Sequence, residues 1–322
     1  MDINKGISVI DIEKISRAVL ENPQAVIDEA ENTYISQLNT VVNAVSSDLY
    51  KHKIIMLSGP SCSGKTTTAL IIESMLEKRG IKAYTISLDD FFLDREKVPK
   101  NAKGNPDFES VQTLELDLLE RCLCSLARGD ETPLPHFHVD KVIREDNART
   151  LRLLDNEVAI VEGIHALNDL VLNHLPSDRS YRLYVGLRSN YLKDNKLFLA
   201  KNELRLLRRT VRDSKFRSNH AIGTWDMWAD VRHGEAEYII PFADRADIVI
   251  NSAFSYEPMH MKPFVLPLLE TLFDTRHAEK AKRLYNAIAS LPEIDRKLVP
   301  AISMLREFTG GSSFYKNNDL NV

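Results

Sequence analysis

The sequence predicts an α/β fold, a mostly parallel sheet sandwiched by helices, with helical extensions at both ends. Three observations predict it. Short β-rich runs at 53–57, 82–87, 157–161, 181–187 and 247–251 alternate with stretches of helical periodicity. The first of these runs feeds directly into a glycine-containing loop and then a helix. Outside this alternating region, apolar residues recur at spacings of three and four. The 322 residues therefore divide into an N-terminal helical extension at 1–50, an α/β core at 51–255 and a C-terminal helical cap at 256–322.

Residues 8–50 read as wholly helical, broken at Asn22-Pro23, with Val26, Ile27, Ala30, Tyr34, Leu38, Val41, Val42 and Val45 along one face. Lys53-Ile-Ile-Met-Leu57 reads as a buried strand, and Thr67–Lys78 as the helix leading out of the loop. Trp225 and Trp228 stand at i and i+3, the spacing of core aromatics, although stacking on a base would use the same pair. Pro258 and Pro263 punctuate the chain before a helix carrying Phe264, Val265, Leu268, Leu269, Leu272 and Phe273. A further helix carries Ala281, Leu284, Tyr285, Ile288 and Leu291, and the last residues, Lys316–Val322, read as a frayed end.

Charge excludes some partners. Forty-two basic against 46 acidic side chains give a formal charge of −4, so no global field draws the chain to nucleic acid or to an anionic membrane. There is no apolar run of spanning length, and Met-Asp-Ile-Asn-Lys-Gly lacks the basic and apolar regions of a secretory leader, so the expected compartment is the cytoplasm. Cys62, Cys122 and Cys124 lack zinc spacing and are expected as reduced thiols. Pro135-His-Phe-His138 contains an H-x-H, which strand alternation explains better than half a metal site. Homo-oligomerisation is left open.

The chemistry begins at residues 59–66. Gly59, Pro60, Ser61, Cys62, Ser63, Gly64, Lys65 and Thr66 form an unbroken G-x-x-x-x-G-K-[ST] loop, continued by Thr67. Its small residues let successive backbone N–H groups turn inward on phosphates, Lys65 can reach the β- and γ-phosphates, and the Thr66 hydroxyl can hold Mg²⁺. The fold expected is thus of the P-loop NTPase type, with ATP and Mg²⁺ as cofactors. A phosphoryl-transfer enzyme needs further parts: a metal carboxylate, a base for the acceptor, cations and a lid. Asp89, in Leu88-Asp-Asp-Phe-Phe92 at the exit of the second strand, is the candidate base. Glu162, ending Val158-Ala-Ile-Val161 and preceding Gly163, is a candidate for holding Mg²⁺. Arg205, Arg208, Arg209 and Arg212 fall at i, i+3, i+4 and i+7, a guanidinium stripe suited to a lid over phosphates.

Together these segments resemble the uridine kinase and phosphoribulokinase family of P-loop kinases, and more narrowly the bacterial uridine kinase-like proteins, whose tails carry a segment like Leu305-Arg-Glu-Phe-Thr-Gly-Gly-Ser312. The resemblance covers residues 50–255, with the tail motif extending it to about 315. It implies that Asp89 takes the proton of a sugar primary hydroxyl, that Thr66 and Glu162 surround Mg²⁺, and that Asp107 binds sugar hydroxyls. It further implies that Arg205 approaches the acceptor while Arg208, Arg209 and Arg212 face the phosphates. Arg144 matches the arginine that closes the family's P-x-Y-D-F-x-x-H-x-R segment, which reads Pro135-His-Phe-His-Val-Asp-Lys-Val-Ile-Arg144 in this chain.

That segment also departs from the family. Where a Tyr and a His help to read a pyrimidine, this chain has Phe137 and Val142, which cannot hydrogen-bond a base. The small-molecule acceptor is expected to carry a hydroxyl group. A nucleoside is the first expectation, a sugar or polyol the alternative, and a non-catalytic NTP-binding regulatory module the alternative of another class. A module of that last kind has no use for a base such as Asp89.

Overall fold

A computed structural model describes residues 6–100, 104, 107, 109–138, 141, 143–173, 175 and 179–315. The expected frayed end at 316–322 and Val142 lie outside the described residues. Among the described residues the first element is strand β1 (Ser8–Asp11), not a helix. The four residues are captured by parallel pairing with a strand at Ser189–Lys193, and the Ser8 N–H donates to the Arg188 carbonyl at 2.7 Å. Tertiary pairing overrides a segment too short for its own periodicity to decide. Helix α1 (Ile12–Glu21) follows, its first turn capped by the Asp11 carboxylate, which accepts from the Glu13 and Lys14 N–H groups at 3.0 Å each. Helix α2 (Pro23–Ser47) begins where expected, with Asn22 as cap and Pro23 at its first position. Its buried residues include Tyr34, Leu38, Val41, Val42 and Val45, and the Tyr34 hydroxyl meets Thr68 Oγ1 at 2.5 Å.

The core then alternates as expected. β2 (Ile54–Ser58) leads through the phosphate loop into α3 (Lys65–Glu77), followed by β3 (Lys82–Ser87) and a single 3₁₀ turn at Leu88–Phe91. After α4 (Leu116–Arg128), β4 (Thr132–His138) and β5 (Ile143–Leu151) form a separate antiparallel pair, and β6 (Glu157–Glu162) returns to the main sheet. A short α5 (Asp169–Leu172) precedes β7 (Ser180–Gly186). β8 (Ser189–Lys193) and β9 (Lys196–Leu199) make a hairpin that β1 extends to three strands. Helices α6 (Lys201–Phe216) and α7 (Ala221–Tyr238) lead to β10 (Ile248–Asn251).

The main sheet is parallel, in the order β10-β7-β2-β6-β3. Its central strand β2 is buried throughout, as a strand covered on both faces must be. Register fixes the site: Leu57 pairs with Glu162, and Ser87 pairs with Glu162 across the other edge of β6. The phosphate loop, the Glu162 carboxyl and the turn bearing Asp89 therefore emerge side by side at the carboxyl ends of three adjacent strands.

Helices α8 (Glu257–Glu270) and α9 (Ala278–Ala289) and a single turn, α10 (Arg306–Thr309), follow among the described residues. Pro258 and Pro263 do not mark off a later helix. Pro258 sits at the start of α8, where no N–H is missed, and Pro263 and Pro267 lie inside it. Met259, Met261, Val265 and Leu269 are buried, and this packing holds the helix through its prolines. One apolar cluster runs from α2 through the sheet to α8, α9 and Phe308.

Candidate active site

Aliphatic β2 delivers a loop whose backbone only glycine permits at two positions. A Cβ on Gly59 would lie 2.0 Å from the Val185 carbonyl oxygen, and Gly64 adopts φ +93° with Met304 packed against its Cα. Cys62 also takes a positive φ, of 59°. The Ser63 hydroxyl is buried in the loop without a partner among the described residues, and the Lys65 ammonium folds back towards the Pro60 carbonyl at 3.4 Å. A cradle with an orphaned hydroxyl, a cation and the N-terminal turn of α3 fits a polyphosphate.

Thr66 and Glu162 converge beside it. Thr66 Oγ1 donates to Glu162 Oε1 at 3.5 Å, and Ser87 Oγ donates to the same oxygen at 3.4 Å. Burial pushes the Glu162 carboxyl up to about 7, opposed by Lys65 and reinforced by Asp89 and Glu307. A hydroxyl beside a buried carboxyl suits Mg²⁺, which would relieve the cost of burial by fixing the ionised form. Asp89 occupies the 3₁₀ turn after β3, its N–H donating to Ser87 Oγ at 3.2 Å. It keeps some solvent contact but lies deep enough for loss of water to raise its carboxyl, while Lys65 and Arg217 pull it down. Asp89, Lys65 and Glu162 thus share one electrostatic neighbourhood.

The arginines of α6 are not an open stripe. Arg205 is buried, donating to Glu235 Oε2 at 2.5 Å with its guanidinium 5.1 Å from the Trp228 ring. Arg208 is fully buried in a bidentate pair with Glu257 at 2.5 and 2.6 Å, and it also donates to the Ser252 carbonyl at 2.6 Å and the Cys62 carbonyl at 3.3 Å. Arg209 reaches the loop directly, its Nη1 donating to Ser61 Oγ at 2.8 Å. Arg212 pairs with Asp213 at 2.6 Å and feels the Cys62 thiol. Three of the four therefore touch or sense the phosphate loop, whereas Arg205 is committed to α7.

The wall facing Asp89 comes from β4, β5 and the segment before α4. Asp90 accepts from the Phe137 N–H at 3.2 Å and bonds His136 at 2.9 Å, which moors β4 to the turn carrying Asp89. Phe137 is buried edge-on against Phe92 at 5.6 Å. Arg144 bonds Asp146 at 2.8 Å and the Phe92 carbonyl at 3.4 Å. Asp107 accepts from the Glu109 N–H at 3.2 Å, and burial pushes Glu109 up to about 7 against the pull of Arg209 and Lys65. His138 pairs with Glu145 at 3.0 Å, and no group of three metal-binding side chains occurs among the described residues. Trp225 is a core residue, its Nε1 donating to Thr210 at 3.1 Å.

Residues 54–256 match the Phosphoribulokinase / Uridine kinase family. The chain belongs to that family. It is 25% identical over 197 residues to uridine kinase from Halobacterium salinarum, covering 61% of this chain and 78% of the relative. It is 28% identical over 198 residues to uridine kinase from Staphylococcus carnosus, covering 61% and 86%. D-glycerate 3-kinase from Cryptococcus neoformans superposes with a TM-score of 0.34 at 18% identity, covering 79% of this chain and 87% of its own. Like its family, the chain is an ATP-dependent kinase that phosphorylates a hydroxyl group of a small molecule.

Four residues at this family site went unread in the sequence. Arg217, just past α6, acts on Asp89. Glu109 and His165 both lie within the electrostatic reach of Lys65, and His165 is buried; burial and then Lys65 hold it down to about 4, so it is neutral. Glu307 sits on the first turn of α3. Arg217 carried a signal as the next arginine after Arg212, and Glu307 lay in the Leu305–Ser312 tail segment that carried part of the resemblance. The others are placed by tertiary contacts between segments far apart in sequence.

Proposed function

We propose that the chain moves the γ-phosphoryl group of ATP onto a primary hydroxyl of a nucleoside-like acceptor, with Asp89 as the general base. The observation that carries this reading is the placement of Asp89 on the strand end beside the Glu162 strand, within the electrostatic reach of Lys65. The Asp89 carboxylate takes the hydroxyl proton, the acceptor oxygen bonds to the γ-phosphorus, and the bond to the β,γ-bridging oxygen breaks to leave ADP. Gly59, Pro60, Ser61, Cys62, Ser63, Gly64 and Thr67 cradle the phosphates, while Lys65 and Arg209 offset the charge that develops. Mg²⁺ held by Thr66 and Glu162 would neutralise phosphate charge. Arg208, Arg212 and Arg205 support this machinery from behind, through Cys62, Asp213 and Glu235.

A second reading, a sugar or polyol acceptor, is favoured by one feature. Phe137 offers a buried ring edge and no hydrogen bond, while Asp107 and Glu109 add carboxyl groups suited to several hydroxyls. ADP formation measured with nucleosides, pentoses and polyols separates the two. Stimulation by nucleosides supports the first reading. Stimulation confined to sugars or polyols supports the second.

A further inference from the structure

The C-terminal segment Met304–Tyr315 is built onto the phosphate loop. Met304 packs on Gly64, Phe308 lies buried with the Arg208 guanidinium 4.9 Å from its ring, and the Thr309 carbonyl accepts from the Lys215 ammonium at 2.8 Å. These contacts aim the Glu307 side chain, itself buried, at Thr67. Glu307 Oε2 accepts from the Thr67 hydroxyl at 2.6 Å and from the Thr67 N–H at 3.3 Å, and the Tyr315 hydroxyl shares Thr67 Oγ1 at 2.8 Å. The Thr67 N–H belongs to the first turn of α3, where the free donors of a phosphate loop receive an anion.

We propose that Glu307 is a resident anion that competes with a nucleotide phosphate for the first turn of α3, making the C-terminal segment an autoinhibitory contact. This rests on nucleotide binding at the loop. A carboxylate and a phosphate oxygen cannot both take one N–H, and their like charges repel in a site sheltered from water. Leu305 and Phe308 are fully buried, so the segment stays anchored while the Glu307 side chain swings off Thr67 and Tyr315 loses its partner. Nucleotide then binds only the fraction of molecules with Glu307 displaced, and its apparent affinity is lowered by that fraction. Nucleotide occupancy is thereby coupled to the C-terminal segment through Glu307 and Tyr315.

The test compares full-length wild type with Glu307→Gln and Tyr315→Phe, using calorimetry with Mg·ATP and with pyrophosphate as probes and thermal unfolding as the folding control. Gln keeps an oxygen for the Thr67 hydroxyl but removes the charge. Glu307→Gln should bind both probes on the order of tenfold tighter than wild type. Tyr315→Phe should tighten both by a smaller factor. Equal or weaker binding by folded Glu307→Gln overturns the proposal while leaving nucleotide binding intact. Failure of wild type and both folded variants to bind either probe overturns the nucleotide reading itself, and this inference with it. Should Glu307→Gln not fold, Tyr315→Phe decides alone: unchanged affinity rejects the competition.

Discussion

Arg209 donates from Nη1 to the Ser61 hydroxyl at 2.8 Å, so the helix expected to form a lid is joined to a side chain of the phosphate loop, beside the Arg208 bond to the Cys62 carbonyl at 3.3 Å. The Arg209 guanidinium also acts on Glu109, so it links the loop to that carboxyl. Arg209→Lys keeps the charge but loses the planar fork, and kcat/KM should fall about tenfold to a hundredfold, as expected when 1–3 kcal/mol of charge-assisted bonding is lost. Steady-state kinetics check this, with unchanged thermal stability as the control.

Arg208 has a different task. With Glu257 it forms a fully buried bidentate pair, and Glu257→Gln would leave a guanidinium uncompensated in the core. Breaking one side of such a pair should cost about 3–5 kcal/mol of stability. Urea unfolding measures it. A loss below about 1 kcal/mol would mean that the pair is not closed in solution.

The carboxyl of Glu162 gives the pH dependence a definite sign. Its ordinary value is 4.5, and burial raises it to about 7 in the folded protein. Between these values the folded state holds a proton that the unfolded chain has released, so unliganded stability falls as pH rises through that window. The share due to Glu162 is on the order of 2–3 kcal/mol, and Glu162→Gln should flatten the decline. Binding of Mg·ATP at pH 6–7 should release protons, because Mg²⁺ selects the ionised carboxyl. Calorimetry in buffers of differing ionisation enthalpy reads the proton count directly.

Phe137 and Asp107 test the acceptor side. Phe137→Tyr places a hydroxyl on the wall facing Asp89, and it should lower the KM for a nucleoside if a base sits there. Asp107→Asn should raise the acceptor KM with little change in the KM for ATP. Measuring both constants for each variant separates acceptor contacts from nucleotide contacts.

Much of this architecture was legible before any coordinates. The five runs expected as strands all lie in the main sheet, and the two that are buried throughout, β2 and β6, declare themselves as unbroken apolar runs. The Gly59–Thr66 loop was equally plain, since its glycines answer a local backbone demand. Ser8–Asp11 was not, because only the β8 hairpin makes it a strand. Nor was α8, whose prolines look like breakers until its buried face is seen. The arginine series shows the same boundary. Spacing placed the four on α6, but which of them a carboxylate claims depends on Glu235 and Glu257, from other helices.

The most direct test of the account is turnover by Asp89→Asn beside its affinity for Mg·ATP, with the best acceptor from the panel. The account predicts ATP binding close to wild type and a kcat reduced about 10²- to 10⁴-fold, the usual loss on removing a general base. Wild-type turnover in that variant, or loss of ATP binding with kcat preserved, would contradict it.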